Sequence, residues 1–277
     1  MGKTAISLVV AFLFLVGGVT SSRGQISITT FGTALTEDFN TLANTGTSST
    51  VPTGWAFLEV GGDGLYVAGT GSENAGSAYS FGATSNSERA FGGLLSGSVT
   101  PTIGVAYTNN TAGTITSLAI AYTGEQWRLG ATSRVDRLDF QYSTNATSLT
   151  TGTWNDADAL DFTAPVTTGT VGALDGNSSP NRTAISSTIT GLSIADGSTF
   201  WIRWNDFNGT GSDDGLSVED FSLSACPTVT CPANSFTCLS APVFALTGGS
   251  PAGGVYSGAG VSGGMFDPTA AGVGTHT

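Results

Sequence analysis

The sequence predicts an all-β protein: a jelly-roll-like antiparallel β-sandwich followed by part of a second small β domain. Three observations carry this. Gly, Ser, Thr, Asn and Ala dominate the 277 residues, with 40 Gly among them. Helical periodicity is nearly absent. Short runs of alternating apolar and polar residues recur between Gly and Asn turns, about ten of them in roughly 200 residues, more than a small seven-stranded sandwich needs.

The first element is not a strand. "MGKTAISLVVAFLFLVGGVTSSRGQ" opens with Lys3, continues with an apolar run from Ala5 to Val19, and ends in small and polar residues. That is the layout of a secretory signal peptide over residues 1–24. The run is about 15 residues, short of the roughly 20 that a bilayer-crossing helix requires. No second apolar stretch approaches membrane length, so no membrane span is expected once the signal is removed.

The sandwich is expected over 25–225. Its candidate strands are "QISITTF" (25–31), "GWAFLEV" (54–60), "SAYSFG" (77–82), "RAFGGLL" (89–95) and "TIGVAYTN" (102–109). They continue with "ITSLAIAYTGEQWRL" (115–129), "DRLDFQYST" (136–144), "RTAISSTIT" (182–190), "TFWIRWND" (199–206) and "GLSVEDFSLSA" (215–225). Leu138, Phe140 and Tyr142 share one face, as do Phe200, Ile202 and Trp204. Trp201 and Trp204 fall on opposite faces. In the last strand Val218 and Phe221 cannot share a face on a period of two, which calls for a phase switch or a bulge.

From 226 to 240 the texture changes to a Pro- and Cys-containing linker. Its cysteines, Cys226, Cys231 and Cys238, are spaced C-x4-C-x6-C. In an exported chain that spacing suits one disulfide, with three pairings open and one thiol left over. Residues 241–277 alternate short apolar points with Gly turns, the first strands of a further β domain that stops where another strand is expected.

Removing 1–24 leaves 6 basic and 20 acidic residues, a net charge of −14, with no Lys. Such a surface repels phosphate backbones, which argues against nucleic-acid partners. The single His, His276, stands next to the C-terminus, so a Ser-His-Asp triad or a His-rich zinc site has no place in the sandwich. Carboxylate pairs remain: Asp156 with Asp158 and Asp161, or Asp213 and Asp214 with Glu219 and Asp220. Both groups are consecutive in sequence, and nothing local supplies the apolar pocket that raises a catalytic acid.

Two binding features stand out. "DFNGTGSDDG" places Asp206, Asn208, Thr210, Ser212 and Asp214 at alternate positions, with Gly211 sixth, partly imitating a calcium loop. Ser217 replaces the twelfth-position Glu and strands flank the loop, so no EF-hand is expected. Because first and last strands of a jelly roll lie side by side, Glu37 and Asp38 are expected to complete a calcium site with Asp206, Asn208, Asp213 and Asp214. The competing reading is a solvated acidic turn. Trp154, in "TGTWNDAD", is the best-placed indole for stacking on a sugar ring. Arg203, in an apolar strand, is expected to pair with Asp139 or Glu219.

"LDFQYSTNATSLTTGTWNDADALDFTAP", "NRTAISSTITGL", "FWIRWNDFNGTGSDDGLSVEDFSLSA" and the opening "EDFNTL" (37–42) resemble the sandwich domain near the N-terminus of large exported bacterial multidomain proteins. The likeness spans Ile26 to Ala225. The tail resembles an immunoglobulin-like repeat of bacterial surface and adhesion proteins, cut off before its final strands, so 241–277 is expected to be a partial Ig-like repeat. The resemblance implies no catalytic residues. The expected function is a non-catalytic extracellular or cell-surface binding or adhesion module, taking carbohydrate or another surface protein. The alternative is an accessory domain of a larger secreted hydrolase.

Overall fold

A computed structural model describes residues 24–229, 235–250 and 254–276. The expected signal peptide, apart from Gly24, lies outside the described residues, as does Cys231. The fold is an all-β sandwich of two sheets. Among the described residues, helical structure is confined to two short 3-10 turns and one α turn.

The strands run in order β1 (Ile26–Ile28), β2 (Leu35–Glu37), β3 (Thr47–Ser48), β4 (Trp55–Val60), β5 (Tyr66–Gly69), β6 (Ser77–Phe81), β7 (Ala90–Leu94) and β8 (Thr100–Asn109). They continue as β9 (Ser117–Leu129), β10 (Arg137–Ser143), β11 (Asn155–Asp156), β12 (Phe162–Thr163), β13 (Gly172–Ala173), β14 (Arg182–Ile189), β15 (Thr199–Asp206) and β16 (Gly215–Cys226). The first sheet has β8, β15 and β10 at its centre. β1 and β4 pair with β8, and β11 and β12 with β10. The second sheet is built on β9 and β16, extended by β7, β6, β5 and β3 on one side and by β13 and β14 on the other. β2 adds beside the far half of β16.

Each long strand follows its alternation. Phe200, Ile202 and Trp204 of β15 are buried, and the residues between them are half-buried on the outer face. Trp204 stacks on Trp55 at 5.9 Å and meets Tyr122, Phe140 and Phe221 edge-on at 5.4, 5.2 and 5.6 Å. Edge-to-face and offset pairs at these distances add to the burial of the rings themselves. Because Tyr122 and Phe221 come from β9 and β16, this indole joins the two sheets.

β16 contains the irregularity that its sequence requires. The register against β9 shifts between Glu219 and Ser222, and Asp220 takes φ +48°. The extra residue turns Phe221, Leu223 and Ala225 inward after Leu216 and Val218, while Glu219 faces outward.

The tail forms its own small sheet, β17 (Phe244–Ala245), β19 (Met265–Phe266) and β18 (Val261–Ser262), with α1 (Pro268–Ala271) capped by the Asp267 carboxylate. Cys226 and Cys238 are free thiols, so the expected disulfide is not formed through either of them. No helix among the described residues is long and apolar enough to cross a membrane.

Candidate functional site

The loop from Asp206 to Asp214 turns its carboxylates inward, onto backbone. Asp206, at the end of β15, accepts from Leu95 N–H at 2.9 Å through Oδ2. Asp213 accepts from Gly209 N–H at 2.8 Å, closing the loop on itself. Asp214 accepts from Gly130 N–H at 2.7 Å and from Gln126 Nε2 at 2.8 Å. Asn208, Thr210 and Ser212 point to solvent instead. Asp206, Asp213 and Asp214 thus gather beside Asp136, with Asp206 Oδ1 buried and without a hydrogen-bond partner, while Asn208, Thr210 and Ser212 stay outside the group.

The cation facing these carboxylates is Arg134. Its guanidinium pairs with Asp136 at 2.8 Å and with Asp214 at 3.1 Å, and donates to Ser212 O. The buried groups are electrostatically crowded. Burial, then Asp136 and Asp213, push the Asp206 carboxyl well above the ordinary carboxylate range. Burial pushes Asp214 up to about 6.

Glu37 and Asp38 do lie beside β16, as side-by-side terminal strands require, but at its other half. Glu37 pairs with Phe221. At ~3.3 Å per residue, the six-residue step from Gly215 places them about 20 Å along the strand from the loop. They line an open cleft of about 370 Å³ with Thr36, Asp220 and Phe221. Glu37 and Asp38 therefore cannot complete a site with Asp206, Asn208, Asp213 and Asp214.

The carboxylates considered for hydrolysis do not pair across a cleft either. Asp156 accepts from Gln141 Nε2 at 2.6 Å at the sheet edge, and Asp161 accepts from Phe140 N–H at 2.8 Å.

Trp154 stands over the outer face of the first sheet. Its indole donates to Thr151 O at 2.9 Å, which fixes the ring on its own turn. Arg203, from β15, lies beneath it with the guanidinium carbon 3.9 Å from the ring centroid. The expected Asp139 or Glu219 partner is not used. Arg203 Nε and Nη2 donate to Gln141 Oε1 at 2.8 and 2.6 Å, and Nη1 donates to Leu149 O at 2.5 Å. Asn205 Nδ2 donates to the same Gln141 oxygen at 2.8 Å, and Thr102 donates to Asn205 Oδ1 at 2.9 Å. Trp201, two residues before Arg203, is half-buried on this face, and its Nε1 is buried without a hydrogen-bond partner. The sequence singles out Trp154, and strand register sets Gln141, Trp201, Arg203 and Asn205 on the same face. Only the odd positions of β15, read as an outward face, pointed to it.

No protein-family model matches the chain, and no curated protein matches it. Among solved structures it is similar to the K3 cleaved adhesin domain of Lys-gingipain from Porphyromonas gingivalis W83, with TM-score 0.41 and 14% identity over 69% of this chain and 98% of that one. The K1 cleaved adhesin domain of the same protein gives TM-score 0.37 and 14% identity over 70% and 99%. TmCBM61 in complex with beta-1,4-galactotriose gives TM-score 0.28 and 10% identity over 71% and 90%. At these scores no ligand or activity is transferred from them.

Proposed function

We propose that the sandwich is a non-catalytic extracellular binding module that takes carbohydrate on the outer face of its first sheet. One observation carries the reading: an indole held over a guanidinium, on a face that also carries a second outward indole and a hydrogen-bonded row of planar polar side chains. Sugar rings present an apolar C–H face and a rim of hydroxyls. A fixed indole matches the first, and amide and guanidinium groups match the second. Trp154 supplies the stacking surface. Arg203, Gln141 and Asn205 supply donors and acceptors whose positions are set before any ligand arrives, which reduces the ordering cost of binding.

The test is a glycan array probed with the mature chain, wild type and Trp154→Ala. Binding of a defined class of glycan by the wild type, at least about tenfold weaker in the variant, supports the reading; a loss of about 1.4 kcal/mol accounts for that factor. Binding undiminished by the substitution, or no glycan bound, removes it.

A further inference from the structure

A second carboxylate group lies on the outer face of the other sheet, away from Trp154 and away from the 206–214 loop. Glu125 of β9, Glu219 of β16 and Glu88, two residues before β7, each place an oxygen within 4.8 Å of an oxygen of the other two. They are far apart in sequence and are brought together by strand register. Ser217 pairs with Glu125 and Glu219 with Thr123, so the two glutamates stand diagonally on adjacent strands. The bulge at Asp220 keeps Glu219 outward while Phe221 turns into the core.

Each carboxylate spends one oxygen on a donor. Glu88 Oε2 accepts from Asn177 Nδ2, Glu125 Oε2 from Trp127 Nε1 at 3.0 Å, and Glu219 Oε2 from Arg182 Nη2 at 3.1 Å. The other side of the group is unserved. Glu125 is wholly buried, and its Oε1, like Glu88 Oε1, is buried with no hydrogen-bond partner. The cation beside Glu125 Oε1 is Arg182, with Nε at 3.8 Å. A buried carboxylate oxygen left without a donor is costly, and two facing one another are more so. Three carboxylates against one guanidinium leave two negative charges uncompensated.

We propose that Glu88, Glu125 and Glu219 bind one divalent cation of calcium size. The charge balances: three carboxylates, Arg182 and one divalent ion sum to zero. The donor set is all oxygen, which suits a hard cation and not zinc or copper. Two ligands on opposite sides of a calcium ion, with bonds of about 2.4 Å, lie ~4.8 Å apart, and the three carboxylate oxygens lie within that span of one another. With one oxygen of each carboxylate held by a donor, the group offers three further oxygens, and water supplies the remaining ligands of a six- to eight-coordinate ion. Half-buried Glu88 leaves the group open on one side, and the segment carrying Asn177 closes over it. A Cβ at Gly176 would sit 2.3 Å from Trp127 Nε1, so only glycine lets that segment approach. Burial, then Glu88 and Glu125, raise the Glu219 carboxyl far above its ordinary range, the competing way to relieve the same repulsion.

Trp127 provides the readout. Its indole N–H is bonded to Glu125, so terbium, a calcium-sized lanthanide, held by Glu125 sits beside a sensitising ring. The full mature chain is titrated with terbium under indole excitation, then with competing calcium. The expected result is saturable emission at one equivalent, reversed by calcium. Glu125→Gln and Glu219→Gln should weaken it at least about tenfold, as ligand loss must, while Asp214→Asn and Asp38→Asn leave it intact. Gln removes like-charge repulsion, so both Glu variants should melt in chelator no lower than wild type. If either fails to fold, Glu88→Gln, from outside the strands, carries the same test. No sensitised emission, emission unchanged in the Gln variants, or emission lost instead in Asp214→Asn or Asp38→Asn overturns the proposal.

Discussion

The guanidinium of Arg203 lies 3.9 Å below the centroid of the Trp154 indole, and two of its nitrogens share the Gln141 side-chain oxygen. A planar group is required for both contacts at once. Lysine offers a point charge on a flexible stem and cannot stack while donating in parallel. Arg203→Lys is therefore expected to lower stability by about 1–2 kcal/mol and to weaken glycan binding along with it. Urea titration and glycan titration of the same preparation measure both. A variant equal to wild type in both would show that the stack contributes nothing.

Arg134 stands against Asp136 and Asp214 with all three side chains nearly buried, at 10%, 0% and 4% exposure. Removing the cation strands two carboxylates without water. Arg134→Ala is expected to cost about 3–5 kcal/mol in a urea melt. Because this guanidinium holds Asp136, Asp214 and Ser212 O directly, the loss should be the same in calcium and in chelator. A small loss, or one abolished by calcium, would contradict this picture of the loop.

The pH dependence follows from Asp206 and Asp214. Both titrate above the unfolded value of about 3.9, Asp214 at about 6. The folded state thus holds protons more tightly than the unfolded chain. Their contribution to stability is fully present below the unfolded value and is lost as pH rises through the folded one. Asp206→Asn keeps an acceptor for Leu95 N–H and never ionises, so it should stabilise the protein at pH 8 and flatten this slope. Urea midpoints at pH 5 and pH 8 check it; a variant less stable than wild type at pH 8 would contradict the assignment.

Asp220, at φ +48°, is exposed at the bulge of β16. Glycine adopts that conformation without steric cost, and a β-branched residue does not. Asp220→Gly is expected to be neutral or to gain up to about 1 kcal/mol, and Asp220→Val to lose about 1–3 kcal/mol. In thermal melts the glycine variant should unfold at or above the wild-type temperature and the valine variant below it. Equal melts would mean the bulge tolerates any side chain.

Much of the architecture was legible because alternation is a local property. The range 199–206 is recovered residue for residue as β15, and the conflict between Val218 and Phe221 located the bulge. The short strands β2, β3, β5, β11, β12 and β13 carry two to four residues each, too few to show a period. The site was less legible because it depends on register. Glu37 and Asp38 were rightly placed beside the last strand, but the pairing of Glu37 with Phe221 sets them at the wrong half of it. Alternate oxygens in 206–214 suggest a ligand ring, whereas Asn208, Thr210 and Ser212 are exposed and only the carboxylates turn inward, toward backbone N–H groups and Arg134. Glu88, Glu125 and Glu219 share no stretch of sequence, so no motif announces them.

The chain has five Trp. Trp55, Trp127 and Trp204 are buried, and Trp154 and Trp201 lie half-buried on the outer face of the first sheet. Titrating the glycan selected by the array into isotope-labelled protein and following the five indole N–H signals tests the binding face most directly. The signals of Trp154 and Trp201 should move saturably while those of Trp55, Trp127 and Trp204 stay in place. Saturable binding that leaves Trp154 and Trp201 unmoved would contradict the account and place the glycan on another surface.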